Sequence, residues 1–431
     1  MGITDTAAAL AGKLRLDSHH AIERFGVMVG ILVVLGVLVT GGAAVAALRT
    51  GAATLTTQAV HTTGFTTSKT GLKGTVDGVY TNRGRTRALV MMHFEDRARI
   101  SYTAADYRAF LLGSDRELGT HPVDTPGLTG RFLVFGSTGY LGVLLEARQS
   151  FAPQVLNLTV RATQELSSDR NARSGAEETP SDATFTKYDQ WAIYLNPGGS
   201  DAPVIPALDR PTLDPAQAYY DVVLVHREAE IKAKLDAKLA EMRTHQAQIA
   251  ASTADLATTR ADGLSLWAPR VPAAIATDRI TGATAAQNRG TSTLALETDH
   301  VVPGGVALNW RDGNVYTGYL PRLVPPGQSY VQFLAAKRDE GSDDTTRQLS
   351  EMAWILSDGT DLKKDYPVTD VTMRPLTTVM NNLAQAYSDY AKAKSTYQSD
   401  LLIDLLRLEV QVRDIRANGS THTEGVLTVL Y

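Results

Sequence analysis

The longest uninterrupted apolar stretch is Phe25–Leu48, FGVMVGILVVLGVLVTGGAAVAAL, 24 residues with no charged side chain. At about 1.5 Å rise per residue it spans ~36 Å, enough for a hydrocarbon core ~30 Å thick with some tilt. This predicts one transmembrane helix over 25–48, with residues 1–24 in front of it. Lys13, Arg15 and Arg24 precede the run, whereas the next twenty residues beyond it carry only Arg49. The positive-inside rule then places residues 1–24 in the cytoplasm and 49–431 outside. Ala44-Val45-Ala46 would also suit signal-peptide cleavage, but the run exceeds the usual h-region of ~7–15 residues, which favours an uncleaved anchor. Gly26 and Gly30 form a GxxxG spacing that permits close helix packing in the membrane, although glycine is common in such helices without it.

Beyond the anchor the pattern changes to short apolar runs separated by turn clusters. Thr75–Thr81, Ala88–Phe94, Arg99–Thr103, Arg131–Phe135, Tyr140–Glu146 and Val155–Ala162 read as strands, and Tyr107–Leu112 as a strand or a helical turn. Gly136-Ser137-Thr138-Gly139 reads as a four-residue hairpin loop. This spacing predicts an antiparallel, β-sandwich-like domain over 49–166. Residues 167–213 open with a polar stretch, SSDRNARSGAEETPSDA, and read as a linker.

Two long helical patterns follow, at 214–260 and 376–416. In the first, Leu235, Met242, Ile249 and Leu256 recur every seven residues, flanked near the start by Ile231 and Leu239. His245, Gln246, Ser252 and Thr253 leave its second half narrow and polar. A seam that thin needs a partner helix. In the second, the line runs through Leu383, Tyr387, Tyr390, Lys394, Tyr397, Leu401, Leu405 and Leu408, and shifts by one residue after Leu401. Leu401-Leu402-Ile403 and Leu405-Leu406 supply more apolar surface than one seam needs, so burial on two sides is expected, against a third helix or another subunit. Whether the stripes only pack on each other or form an antiparallel stalk that engages copies of the chain stays open. Between the rods, 261–375 reads as a small mixed region. It holds a hairpin, Val306–Trp310 and Val315–Leu320 around Asp312-Gly313, and helices over Gln328–Lys337 and Thr345–Leu356. A tail, 417–431, ends the chain.

The fold class expected is thus α+β: an anchor, a sandwich-like domain, and two coiled-coil-like helices flanking a mixed region.

Composition narrows the chemistry. The chain has 431 residues, no cysteine, and 42 basic against 46 acidic side chains. Disulfides, thiolate metal sites and cysteine nucleophiles are excluded. The near-neutral charge offers no field for nucleic acid. The nine histidines fall into no HExxH frame, FGSTGYLG lacks the P-loop lysine, and Ser137 lacks the GxSxG frame. No catalytic, cofactor-binding or metal site is expected. His93-Phe94-Glu95-Asp96 is a polar cluster that reads as a solvated turn.

The layout is similar to that of envelope components of bacterial secretion and conjugation machines and of periplasmic adaptors, with no shared motif. The expectation is a non-enzymatic, single-pass structural component of a cell-envelope complex. Its partners would be the bilayer and either its own copies or envelope proteins. The alternatives are a ligand-binding module using the sandwich loops, and a membrane-tethered envelope hydrolase.

Overall fold

Several strands carry unbroken apolar runs rather than alternation, and the reason is burial on both faces. The computed structural model describes residues 52–95, 98–114, 119–164, 166–168, 187–340 and 344–430. The chain is a mixed α+β protein with mainly antiparallel sheets. The first sheet has six strands in the order β1 (Gly64–Thr66), β2 (Lys73–Thr81), β3 (Arg87–Phe94), β8 (Tyr140–Glu146), β7 (Thr129–Val134) and β14 (Ser420–His422). The second runs β11 (Asp189–Leu195), β9 (Val155–Ala162), β5 (Tyr107–Ser114), β15 (Leu427–Val429), with β6 (Thr120–His121) on the end of β5. Among the described residues there are two further small pairs: β4 (Ala98–Arg99) with β10 (Ser167–Ser168), and β12 (Arg279–Thr281) with β13 (Ala295–Glu297).

One core lies between the sheets. Val90, Met92, Phe132, Val134, Val143 and Leu145 of the first sheet bury against Tyr107, Leu111, Leu158, Val160, Trp191 and Ile193 of the second. The other face of the first sheet is equally apolar. Its Leu89, Met91, Leu133, Phe135 and Leu144 belong to a second core shared with the long helices. β2 keeps its place through a bulge. The register shifts between Val76 and Gly78, so Val76 and Val79 both point into the inter-sheet core although they lie three residues apart.

Two segments lace the sheets together. Residues 60–68 bond to β11 through Thr62 N to the Tyr194 carbonyl and Ser68 N to the Gln190 carbonyl, while β1 within them pairs with β2. At the opposite edge the C-terminal residues give β14 antiparallel to β7 and β15 parallel to β5. The expected tail is therefore structural, and Val426 sits in the inter-sheet core. The expected linker also yields a strand. β11 alternates in burial through Trp191, Ile193 and Leu195, and it extends the two-sheet body beyond 166. The run expected at Arg99–Thr103 forms only the two-residue β4.

The first rod begins at Pro215–Tyr219, with Asp214 as N-cap accepting from Ala216 N. It opens into a π turn at Tyr220–Leu224 and continues over Val225–Thr258. The second is Arg374–Ser395, a π turn at Thr396–Leu401, and Leu402–Asn418. The rods run antiparallel, with Tyr219 opposite Gln411, Gln246 opposite Tyr390 and Thr253 opposite Tyr387.

The expected hairpin around Asp312-Gly313 does not form. Val306, Trp310, Val315, Tyr319 and Leu320 are all buried in the core shared with the rods, a demand that a two-stranded ladder with one open face does not meet. Their backbone donors find side chains instead. Val315 N donates to Glu228 Oε1, and the N–H groups of Tyr319 and Leu320 donate to Glu409 Oε2. The helix expected over Thr345–Leu356 stops at Ser350. There Trp354 turns into the core, and Leu356 N bonds the Thr360 carbonyl across a turn closed by Gly359 at φ +91°. The helix expected at Gln328–Lys337 is present as Tyr330–Asp339, capped by Ser329.

The expected anchor, 25–48, with Gly26 and Gly30, lies outside the described residues. Among the described residues no helix is long and apolar enough to cross a membrane.

Candidate functional site at the junction of sheets and rods

Strand pairing sets His93 opposite both Thr75 and Tyr140. The bulge in β2 then turns Asp77 toward the same ring. His93 Nδ1 lies 2.9 Å from Asp77 Oδ1, and Thr75 Oγ1 lies 3.2 Å from the same carboxylate oxygen. The Tyr140 ring stacks on the imidazole at 4.8 Å and meets Tyr219 of the first rod edge-on at 5.2 Å. The glycine loop after β7 completes one wall. Phe135 N bonds the Tyr140 carbonyl, and Ser137 gives both its N–H and its hydroxyl to Asp414 of the second rod. Gly136, at φ +56°, has no room for a Cβ beside that carboxylate. Asp414 also accepts from Asn418, and Tyr219 donates its hydroxyl to Gln411.

These groups surround a cleft of about 350 Å³. Phe94, Tyr140 and Tyr219 form its aromatic surfaces, with His93, Ser137, Thr138, Gln411 and Arg227 around them. Burial raises the Asp77 carboxyl, but the His93 contact and the Tyr140 and Thr75 hydroxyls outweigh it and hold it below the usual range. Burial likewise raises Asp414, and the Asn418 and Ser137 donors reverse that. The Tyr219 phenol is pushed up to about 12, chiefly by burial. The phenols of Tyr140 and Tyr219 therefore stay protonated near neutral pH. The solvated turn expected at His93–Asp96 is thus in part a wall of this cleft.

Ser137 Oγ is committed to Asp414, and the Asp77–His93 pair is engaged with Thr75 and Tyr140. Among the described residues no group of three or more His, Asp or Glu side chains is placed to hold a metal ion.

The seam residues lie elsewhere, between the rods. Leu235, Met242, Leu256, Leu383, Tyr387, Tyr390, Leu405 and Leu408 are buried within the chain's own core, while Ile249 and Leu401 are half-buried against it. The one-residue shift after Leu401 follows directly on the π turn. The buried line steps from Tyr397 to Leu402, and Leu401 stands aside. The polar half of the first rod has its own logic, because Gln246 and Thr253 meet the hydroxyls of Tyr390 and Tyr387. The surplus apolar surface at Leu402–Leu406 is covered by this chain. It therefore gives no argument for a second subunit.

Lys394, in the seam line, forms a buried polar centre. Its Nζ lies 2.8 Å from Asp278 Oδ2, 2.6 Å from the Ala274 carbonyl and 3.1 Å from Thr298 Oγ1, and Tyr390 donates to Asp278 at 2.8 Å.

Sequence reasoning passed over the cleft because its members come from five separated segments. One local signal was present, the Asp77-Gly78 pair inside a strand pattern, which marks a bulge. No protein-family model matches the chain, and no curated protein or solved structure is significantly similar to it.

Proposed function

We propose that this chain is a non-enzymatic, membrane-anchored structural component of an envelope assembly, tethered through 25–48 and acting outside the membrane through protein contacts. The observation that carries the reading is the shared core between the first sheet and the rods. Leu89, Met91, Leu133 and Phe135 pack with Tyr219, Leu402 and Leu406, which ties the helices to the two-sheet body. The continuous part of the first rod has 34 residues, a length of ~50 Å. Such an element suits holding a partner at a fixed distance from a bilayer. The apolar run and its flanking charges support the tether. Packing of Leu405 and Leu408 inside the chain directs the search for contacts to the outer faces of the rods.

Photo-crosslinking residues at the exposed positions Lys234, Gln248, Gln385 and Lys392, placed in the full-length chain in its own host, test the reading. Reproducible capture of one envelope protein, or of a second copy, from neighbouring positions is expected. Capture of nothing from any of the four rejects the assembly role.

A further inference from the structure

The rods pack on the first sheet, so the outer face of the second sheet is the far side of the two-sheet body. Alternation decides which side chains stand there. Leu111, Leu158, Val160, Trp191 and Ile193 point into the inter-sheet core, so Gln190 of β11, Arg161 of β9, and Arg108 and Phe110 of β5 point outward. Pairing sets Gln190, Arg161 and Arg108 in one row across the three strands. Two arginines therefore stand directly opposite each other, an arrangement that costs stability unless an anion answers it. No acidic residue occupies an outward position of β5, β9 or β11. The adjoining carboxylates keep their charge but are turned elsewhere. Asp106 accepts from the Ser101 hydroxyl, and Asp189 from the N–H groups of Lys69 and Thr70 and the Thr70 hydroxyl.

Neutral groups hold both guanidinia. Arg108 donates to the Ala105 and Tyr107 carbonyls at 2.9 and 2.8 Å. Arg161 Nη2 donates to Gln190 Oε1 at 3.2 Å, and its guanidinium lies 4.8 Å from the Phe110 ring and 5.5 Å from that of Tyr188. Exposed Lys187 adds a third cation beside Tyr188. Two donors of the row have no acceptor among the described residues: Arg161 Nε and Gln190 Nε2 are buried and unpaired. Gln190 is 5% exposed, and a buried donor left unpaired costs free energy. The like charges and the unmet donors both call for a negatively charged acceptor.

We propose that this face docks an acidic peptide segment of a partner protein, with its carboxylates on Arg161 and Arg108. A guanidinium fork matches a planar carboxylate bidentately. An open sheet face suits an extended segment. The Phe110 and Tyr188 rings are already taken up by Arg161, so they are not free to stack bases of a nucleic acid. The proposal deepens the reading of an assembly component and rests on it, adding a contact surface away from the rods.

Fluorescence anisotropy with the full-length chain in non-ionic detergent tests it. The probes are a labelled Ser-Glu repeat octapeptide, the matching Ser-Gln octapeptide, and tripolyphosphate as competitor. The Ser-Glu peptide should bind at least ~10-fold more tightly than the Ser-Gln peptide, and less tightly as salt is raised. Arg161→Gln and Arg108→Gln should each lower that affinity at least ~10-fold. Neither should lower the melting temperature, because each also removes the like-charge opposition; a purely structural role would lower it. Arg161→Lys, which keeps the charge without the fork, should fall between. Arg338→Gln, exposed on the Tyr330–Asp339 helix, should change nothing. Equal binding of the two peptides, no binding of either, or full affinity in the Arg108→Gln, Arg161→Gln double variant would overturn the proposal. Displacement by less tripolyphosphate than unlabelled Ser-Glu peptide would assign the face to phosphate instead. Binding that appears only in a Glu177→Gln, Glu178→Gln chain would assign it to the chain's own acidic stretch. Capture of a partner by the cross-linkers on the rods, without peptide binding, would remove this surface and leave the assembly reading standing.

Discussion

Replacing Lys394 by methionine isolates a buried ion pair between the second rod and Asp278 of the region that links the rods. The ammonium and the Asp278 carboxylate are almost fully enclosed, with side-chain exposures of 1% and 0%. Methionine fills nearly the same volume, so little cavity term enters. What is lost is the ion pair at 2.8 Å and the donors to the Ala274 carbonyl and Thr298. Asp278 would keep only the Tyr390 hydroxyl and the protein around it, and removing one partner of a buried pair costs about 3–5 kcal/mol. The surface pair Lys238–Glu241, 2.7 Å apart with the glutamate 46% exposed, gives the contrast. Lys238→Met should cost under ~1 kcal/mol, because water screens the pair. Urea unfolding followed by helical circular dichroism and by tryptophan fluorescence reads both. Trp310 and Trp354 report on the core around the rods, and Trp191 on the sheets. Adding Asp278→Asn to Lys394→Met should recover part of the loss, since the amide still accepts from Tyr390 and no lone charge remains. A loss below ~1 kcal/mol in Lys394→Met, or no recovery in the double variant, would refute the reasoning.

Further outcomes follow from the same geometry. Leu405→Ala should cost about 2–5 kcal/mol in urea with an unchanged mass by light scattering, because Leu405 is fully buried within the chain; a fall in mass at unchanged stability would contradict this. Truncation after Asn418 removes β14 and β15, and should expose the body to limited proteolysis between β5 and β7; equal resistance would show the two strands to be dispensable. Asp77 and Asp414 are held below the usual carboxylate range in the folded chain. Their contribution is complete above that range, near pH ~4, and is lost as pH falls through the depressed values. The melting temperature should therefore drop between about pH 5 and 3, and Asp77→Ala should shrink the drop; an unchanged slope would deny Asp77 that part.

Local patterns carried far when burial was one-sided or helical. The Gly136–Gly139 hairpin is visible as a turn cluster, and the strands at Thr75–Thr81 and Val155–Ala162 and the two rods are visible in spacing alone, because they follow period two or a three-four repeat. The failures have a common cause, which is tertiary demand. Val306–Leu320 has a strong turn pair, yet Glu228 and Glu409 meet its backbone donors from distant helices and pull its apolar residues inward. β15 pairs in parallel with β5 more than three hundred residues earlier, a partnership no local signal encodes. β11 was legible in the alternation of Trp191, Ile193 and Leu195, and was obscured by the polar stretch before it. The cleft was the least legible feature. Asp77, His93, Tyr140, Tyr219 and Asp414 share no spacing, and only the bulge and the antiparallel packing bring them together.

The most direct test of the central claim uses the absence of cysteine. Ser388→Cys, exposed on the second rod, and Ser18→Cys, ahead of the apolar run, each create a single labelling site. Intact cells or spheroplasts of the host, treated with a membrane-impermeant maleimide, should label the Ser388→Cys chain and leave the Ser18→Cys chain unmodified until the membrane is opened. Labelling of the second variant alone, or of neither before lysis, would contradict a body held outside the membrane by its N-terminal helix.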